Sequence, residues 1–285
     1  MTIENESRGT MVSQISLIDA FSDTLKRIRE DETLKKATVC MQAKTQLYLA
    51  GYESILSTVK SDVPDILVVE DTTYHCVQAY AKDSTIKTAV LNFANAYTPG
   101  GSVLQGAMAQ EECLCRSSNL YASLTLPYLI KNYYKWNCHN TGDMGTDAVI
   151  YSPGVTVFKN DDPIPAELDH WFQTDVLTCA APYLNLEKRK PVSMDKLEQV
   201  FTARINNILE VAVANNVDII VLGAFGCGVF NNPPDLVAEV FRNLLVTKGQ
   251  GRFFKRVIFA IKKNNERNTN LVAFKKAFAL VPKSL

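Results

Sequence analysis

The chain has 285 residues, 30 Lys and Arg against 30 Asp and Glu, and a hydrophobic fraction of 47%. That is ample for a large buried core in one domain or two small ones, and the balanced charge excludes a surface that attracts polyanions as a whole, so any anionic partner has to be met locally. The first ten residues, MTIENESRGT, lack a basic-then-apolar leader, and no apolar run reaches bilayer length, so no membrane partner and a soluble intracellular protein are expected.

Residues 1–12 are polar and expected to be loose. From Ile15 to Leu34, Ile15, Leu17, Ile18, Phe21, Leu25 and Ile28 recur at helical spacing, and the charged run Lys26–Glu32 reads as a solvated helix face. Residues 40–64 stay ambiguous between short strands and a helix. Ile66–Glu70 reads as a buried strand, Thr72–Lys82 as a helix behind it, and Lys87–Asn95 as a second strand. A glycine-bearing loop follows, then a helix over Gln110–Tyr134 with an interruption at Pro127. Ala148–Ser152 is a third strand, which Gly154–Phe158 extends or returns from; residues 159–169, rich in Asp and Pro, read as a surface loop. Asp175–Ala180 reads as a short buried strand, Asp195–Asn215 as an amphipathic helix, and Asp218–Gly223 as another buried strand. Pro233–Val246 is a helix opened by proline, whose missing N–H costs nothing there. Lys255–Ile261 and Asn268–Leu280 supply a last strand and a last helix. With no linker, repeat or low-complexity segment, the alternation predicts one three-layer α/β/α domain over 1–285 with a mixed or mostly parallel sheet. Residues 15–85 are expected to form an N-terminal extension packed on the core.

Two strand–glycine–helix junctions carry the chemistry. In LNFANAYTPGGSVLQGAMAQEE, residues 91–112, a strand runs into Pro99, Gly100, Gly101 and Gly106 and delivers Gln110, Glu111 and Glu112 to a helix start. In VLGAFGCGVFNNPP, residues 221–234, Gly223, Gly226 and Gly228 follow a buried strand. Glycines there let backbone N–H groups approach a phosphate, and ligands of open α/β sheets sit beyond the carboxyl ends of strands. Two adjacent carboxylates repel phosphate, so their presence suits a site that needs an acid: cleavage of a phosphate-bearing, sugar-containing substrate. Acids are also favoured at any helix N-terminus, and spacing alone leaves that plainer reading open. Neither stretch matches a dinucleotide-binding or a Walker fingerprint.

The remaining reactive residues read as structural. Seven cysteines, odd in number and in apolar contexts, fit reduced thiols of a cytoplasmic protein (nuclear if eukaryotic). Cys113-x-Cys115 and the isolated His75, His139 and His170 give no zinc spacing, so no metal is expected. Cys227 has no histidine near it in sequence, and its backbone N–H is the contribution expected. Tyr133, Tyr134 and Trp136 read as packing, and Asn231-Asn232-Pro233-Pro234 as a helix-capping turn.

Taken together, these residues resemble the microbial poly(ADP-ribose) glycohydrolases, a branch of the macrodomain superfamily. The family signature is a glycine triplet, a short spacer and Gln-Glu-Glu; here Gly100-Gly101-Ser102 precedes seven residues and Gln110-Glu111-Glu112. The flanks NFANAYTPGG, CRSSNLYASL, IYSPGVTVF, LTCAAPYLN and LGAFGCGVFNNPP are also similar, from about residue 15 to the C-terminus. The resemblance implies a macrodomain-like fold, ADP-ribose or poly(ADP-ribose) and ADP-ribosylated proteins as partners, no cofactor, and no sequence-specific nucleic-acid binding. It implies Glu112 as catalytic acid, Glu111 on the hydroxyls of the ribose being cleaved, and Gln110 orienting the acids. Gly100, Gly101 and Ser102 would lie under the diphosphate and distal ribose, with Asn95 touching that ribose. Gly226, Cys227, Gly228 and Val229 would form the opposite phosphate loop, with Phe230 stacking in the adenosine part.

Ser102 departs from the family's third glycine. A positive φ there would cost on the order of 1–2 kcal/mol, whereas a negative φ would leave serine unstrained. The reaction so implied cuts ribose–ribose bonds through an oxocarbenium-like state, with a glutamate as proton donor and then as base. Removal of a single ADP-ribose from protein or nucleic acid, and a module that binds ADP-ribose without cutting it, are the rival readings. The acid pair argues against a pure binder, since a binder gains nothing from acids near phosphates.

Overall fold

The computed structural model describes residues 13–54, 58–81, 83, 85–184, 192–263 and 267–279. The expectations for residues 1–12 therefore lie outside the described residues. So do Lys82 at the end of one predicted helix and Leu280 at the end of the last.

The periodic stretch at the N-terminus forms two helices, not one. Helix α1 (Gln14–Glu30) buries Leu17, Phe21 and Thr24 and ends at Asp31. The Asp31 carboxylate accepts the N–H groups of Thr33 and Leu34, both at 2.9 Å, and so starts α2 (Glu32–Lys44). Then come β1 (Gln46–Tyr48), β2 (Ile66–Val69), α3 (Thr73–Tyr80) and β3 (Thr88–Phe93). The helix expected over 110–134 is broken twice. Helix α4 (Gln110–Ser117) stops at Ser118, which bridges to Val157, and α5 (Leu120–Leu124) follows. Asn119 explains the first break: its N–H donates to the Thr156 carbonyl and its side-chain oxygen accepts the Thr156 N–H at 2.8 Å, leaving the helix for a strand partner. After Leu126, α6 (Pro127–Leu129) passes through a widened turn into α7 (Lys135–Asn140).

The region expected as a surface loop is the tip of a long antiparallel hairpin of β4 (Val149–Lys159) and β5 (Glu167–Cys179), bulged between Ser152 and Val155. The predicted strand at 175–180 is only the buried end of β5. Helix α8 (Met194–Ala214), β6 (Ile219–Leu222), α9 (Pro234–Arg242), β7 (Arg256–Ala260) and α10 (Thr269–Ala277) complete the order close to the expected bounds.

The seven strands run β1-β4-β5-β3-β6-β7-β2. Strands β5, β3, β6, β7 and β2 are parallel, and β4 is antiparallel to β5 and to β1. Residues 15–85 thus supply both edge strands together with α1–α3. Ile66–Val69 is half-buried at one edge, not a core strand as its apolar run suggests.

Strand alternation divides the core. Leu91, Leu177, Ile220 and Phe259 face α8–α10 through Phe201, Ile205, Phe241 and Phe274; Val90, Val176, Val221 and Ile258 face α1–α5 through Phe21, Met41, Tyr74 and Leu114. The result is a three-layer α/β/α domain on a mixed sheet. No helix among the described residues is long and apolar enough to cross a membrane.

Candidate active site

Five parallel strands end at one edge, and their following segments line a cleft of about 510 Å³. Asp71–Thr73 follow β2, Phe93 ends β3, Ala181 follows β5, Gly226, Gly228, Val229 and Phe230 follow β6, and Lys262 and Lys263 follow β7. Met108, Ala109, Gln110 and Cys113 close it from the α4 side, and Asp161 and Pro163 from the hairpin tip. A larger hollow of about 750 Å³ runs along α8, but none of the predicted site residues lines it, and Asp147, Asp195 and Glu198 give it the wrong charge for a phosphate.

The two acids stand in the first turn of α4, which is tied to the sheet by Gln110. Its side-chain oxygen accepts the Phe93 N–H at 2.8 Å, while its amide donates to the Leu91 carbonyl at 2.7 Å and to Thr73 Oγ1 at 3.1 Å. Gln110 thereby fixes the start of the helix that carries the acids. Glu111 is 2% exposed; its Oε2 accepts the Asn95 N–H at 2.8 Å and its Oε1 accepts Asn92 Nδ2 at 3.3 Å. Burial pushes the Glu111 carboxyl up to about 8, the Asn95 N–H opposes that, and the charge of Glu112 adds to it. Glu112 is 6% exposed; its Oε1 accepts the Ser102 N–H at 2.9 Å, and its buried Oε2 has no partner among the described residues.

Gly101 explains why the loop can lie so close. Its φ is +59°, and a Cβ there would stand 2.4 Å from Glu112 Oε1 and 3.0 Å from Glu111 Oε2. Ser102 has φ −103°, so the substituted third glycine carries no strain, and its side chain is exposed. The N–H groups of this turn serve the protein itself: Gly101 donates to the Thr98 carbonyl and Ser102 to Glu112. Asn95 turns its side-chain oxygen back onto the N–H groups of Tyr97 and Thr98, at 2.8 and 3.0 Å.

The opposite loop is equally crowded at one point. Gly226 has φ +75°, and a Cβ there would meet Ala181 Cβ at 2.5 Å and Asn232 Nδ2 at 2.7 Å. Asn232, read as part of a helix-capping turn, does other work: its buried amide donates to the carbonyls of Pro182 at 2.8 Å and Gly226 at 2.9 Å, staplng the loop. The Cys227 N–H, expected to face a ligand, instead donates to the Ala224 carbonyl at 3.0 Å. Burial pushes its thiol up to about 12, which disfavours the thiolate. A Cβ on Gly228 would meet nothing within 4 Å, so the backbone there faces open space. Phe230 lines the cleft and meets Tyr183 edge-on at 5.1 Å.

The structure thus brings Gln110, Gly226, Gly228, Val229 and Phe230 onto one cleft, with Glu111 and Glu112 packed against Gly101 and Ser102 beside it. Asn92, Asn232, Asp71 and Asp161 belong to the same surroundings and were missed. Asn92 and Asn232 lie within the two glycine motifs and so had a sequence signal, whereas Asp71 and Asp161 lie far from both. His75 pairs with Asp71, His139 caps the Lys135 carbonyl, and His170 is exposed; none lines the cleft. Among the described residues, no group of three or more His, Cys, Asp or Glu side chains is placed to hold a metal ion.

A family model described as the microbial-type PARG catalytic domain, PARG being poly(ADP-ribose) glycohydrolase, matches residues 17–160. Among solved structures, the poly(ADP-ribose) glycohydrolase of Thermomonospora curvata is 30% identical, with 93% of this chain and 100% of that chain covered and a TM-score of 0.81. The same bacterial protein bound to the inhibitor ADP-HPD superposes with a TM-score of 0.80 at 29% identity, again over 93% of this chain and 100% of that one. The Deinococcus radiodurans enzyme in complex with ADP-ribose is 31% identical over 85% of this chain and 96% of that one, with a TM-score of 0.72. A search of curated proteins finds no match.

Proposed function

Because the chain belongs to the microbial-type poly(ADP-ribose) glycohydrolase family and has its glycohydrolase activity, we propose that Glu112 protonates the leaving oxygen when a ribose–ribose bond of poly(ADP-ribose) is cut. The observation that supports this is the asymmetry of the acid pair. Both Glu111 oxygens are occupied by Asn92 and Asn95, whereas Glu112 keeps one oxygen buried and unpartnered. A buried acceptor without a donor is costly unless something from outside the protein completes it.

The pair has a proton to give. With the Glu111 carboxyl raised to about 8 by burial, it retains a proton at neutral pH, one residue away from Glu112. Glu112 passes it to the leaving hydroxyl oxygen as the bond to the anomeric carbon breaks. The remaining negative charge and the substrate's own phosphates stabilise the oxocarbenium-like centre. A water then adds to that carbon, and Glu112 takes the water's proton, restoring the pair.

We propose that ADP-ribose, the ligand named in the Deinococcus complex, lies with its diphosphate along Gly226–Val229, its adenosine by Phe230 and its distal ribose over Gly100–Ser102 near Asn95; Gly226, Gly228, Val229 and Phe230 line the cleft, which supports the first two placements. Seven free thiols support a reducing compartment, which we take to be the cytoplasm.

The test is to incubate the protein and Glu112→Gln with poly(ADP-ribose) and with mono-ADP-ribosylated protein. ADP-ribose is released from the polymer by the wild type alone, while the variant still binds ADP-ribose. Unchanged hydrolysis by Glu112→Gln removes it as the proton donor. Release only from the mono-modified protein moves the substrate to the rival reading.

A further inference from the structure

We propose that Arg116 is a positioning residue for the reaction: its guanidinium holds the 102–109 loop on α4 and thereby fixes the Ser102 N–H that sets the Glu112 carboxylate. The proposal rests on the reading of Glu112 as proton donor.

Arg116 is 0% exposed, and no carboxylate among the described residues pairs with it. Nη1 donates to the Ala107 carbonyl at 2.6 Å, Nη2 reaches Cys113 Sγ at 3.4 Å, and Nε has no partner. Arginine is almost never fully buried unless paired, and taking a charge out of water without a counter-charge is costly. A charge kept in such a place calls for a role other than holding the fold.

The hydrogen bonds trace that role. Arg116 holds Ala107; the Ala107 N–H donates to the Ser102 carbonyl at 3.2 Å; the Ser102 N–H donates to Glu112 Oε1 at 2.9 Å. Glu112 and Arg116 are four residues apart on α4, on one helix face, so the path leaves α4 at one residue and returns to it one turn away. These contacts involve successive peptide groups, so the coupling is mechanical: the loop moves as a unit. Its other side is pressed on α1, where a Cβ on Gly106 would lie 2.7 Å from the Gln14 carbonyl oxygen. Thr24 of α1 in turn donates to the Arg116 carbonyl. Without the guanidinium, the loop loses its tether to α4 at Ala107, and the Ser102 N–H is free to drift from the carboxylate.

The experiment measures kcat and KM on poly(ADP-ribose) for the wild type, Arg116→Met, Arg116→Lys and Glu112→Gln, with a thermal melt of each. Misplacing a catalytic group by about 1 Å costs about 100-fold, so Arg116→Met should lower kcat by about 10- to 100-fold. Its KM should hold within about twofold, because the loss falls on the transition state and not on ground-state binding. Arg116→Lys, which keeps a cation but not the planar fork, should recover part of kcat. A folded Arg116→Met with wild-type kcat, a loss confined to KM, or a lysine no better than methionine overturns the proposal. If Arg116→Met does not fold, Arg116→Lys decides: lowered kcat at unchanged KM supports it, and wild-type kcat overturns it. An active Glu112→Gln removes the reading beneath, whereas an inactive Glu112→Gln beside a fully active Arg116→Met removes only the role of Arg116.

Discussion

Gly101→Ala puts the acid geometry under the most direct strain. The added Cβ would lie 2.4 Å from Glu112 Oε1, 3.2 Å from its Cδ and 3.0 Å from Glu111 Oε2, where ordinary contact starts at 3.4 Å. The carboxylate or the loop therefore has to yield by about 1 Å, a displacement that costs about 100-fold when it falls on a reacting group. That factor is about 3 kcal/mol of barrier. The left-handed φ of +59° adds about 1–2 kcal/mol of backbone strain to the folded state. Initial rates of ADP-ribose release at saturating polymer should show kcat down about 100-fold. KM should change little, since Gly226–Phe230 are untouched, and the melting temperature should fall by a few degrees. Gly228→Ala is the contrast: with nothing within 4 Å of its Cβ, it should leave the melt unchanged and act on KM by intruding on the cleft. A folded Gly101→Ala whose kcat stays within about threefold of the wild type would mean that the carboxylates do not work from the positions seen here.

Two further variants test the electrostatics and the loop. Glu111 has a folded-state pKa of about 8, above the ordinary 4.5, so the folded protein holds that proton more tightly and loses stability as pH rises from 4.5 through 8. Glu111→Gln removes this titration; denaturant melts at pH 5, 7 and 9 should show the variant gaining on the wild type, by a few kcal/mol above pH 8. A difference independent of pH refutes the buried-acid account. Ser102→Gly relieves no strain, because φ is already −103°, and should keep kcat within about twofold while losing about 0.5–1 kcal/mol of stability to backbone entropy. A several-fold gain in kcat would show that serine distorts the turn.

What the sequence made legible was whatever local chemistry decides. Strands β3, β6 and β7 and helix α8 are long apolar or amphipathic runs, and each forms within two residues of its expected bounds. The glycine loops are legible because only glycine tolerates the approach at 101 and 226. Features set by distant partners are not. The break at Ser118–Asn119 depends on a β4 backbone 37 residues away, and the half-burial of Ile66–Val69 depends on its place at the end of the strand order. The hairpin tip reads as a loop because Asp and Pro dominate it. Yet Asp161 reaches across to Thr72 Oγ1 and the Tyr74 N–H, at 2.7 and 2.8 Å, to close one wall of the cleft. Within the site, Asn232 reads as a cap because capping is what asparagine before a helix usually does, yet no side chain among the described residues caps α9. Its bonds to Pro182 and Gly226 exist only once β5 and β6 lie in the same sheet.

The placing of two carboxylates beside a phosphate-binding edge is resolved by dividing the two glycine loops between opposite charges. In the turn at 100–102 the N–H groups of Gly101 and Ser102 are spent within the protein, the first on the Thr98 carbonyl and the second on Glu112, so neither is left for a phosphate. In the turn at 226–230 a Cβ on Gly228 would meet nothing within 4 Å, so there is room for a ligand beside that backbone. On the proposed placement of the diphosphate, the anionic ligand and the acids are neighbours along one sheet edge without competing for the same N–H groups. Burial does the rest: it keeps a proton on Glu111 at neutral pH, which lowers the negative charge beside the cleft. It follows that a variant freeing the Ser102 N–H from Glu112 should weaken proton transfer without improving diphosphate binding, since that donor never belonged to the phosphate loop.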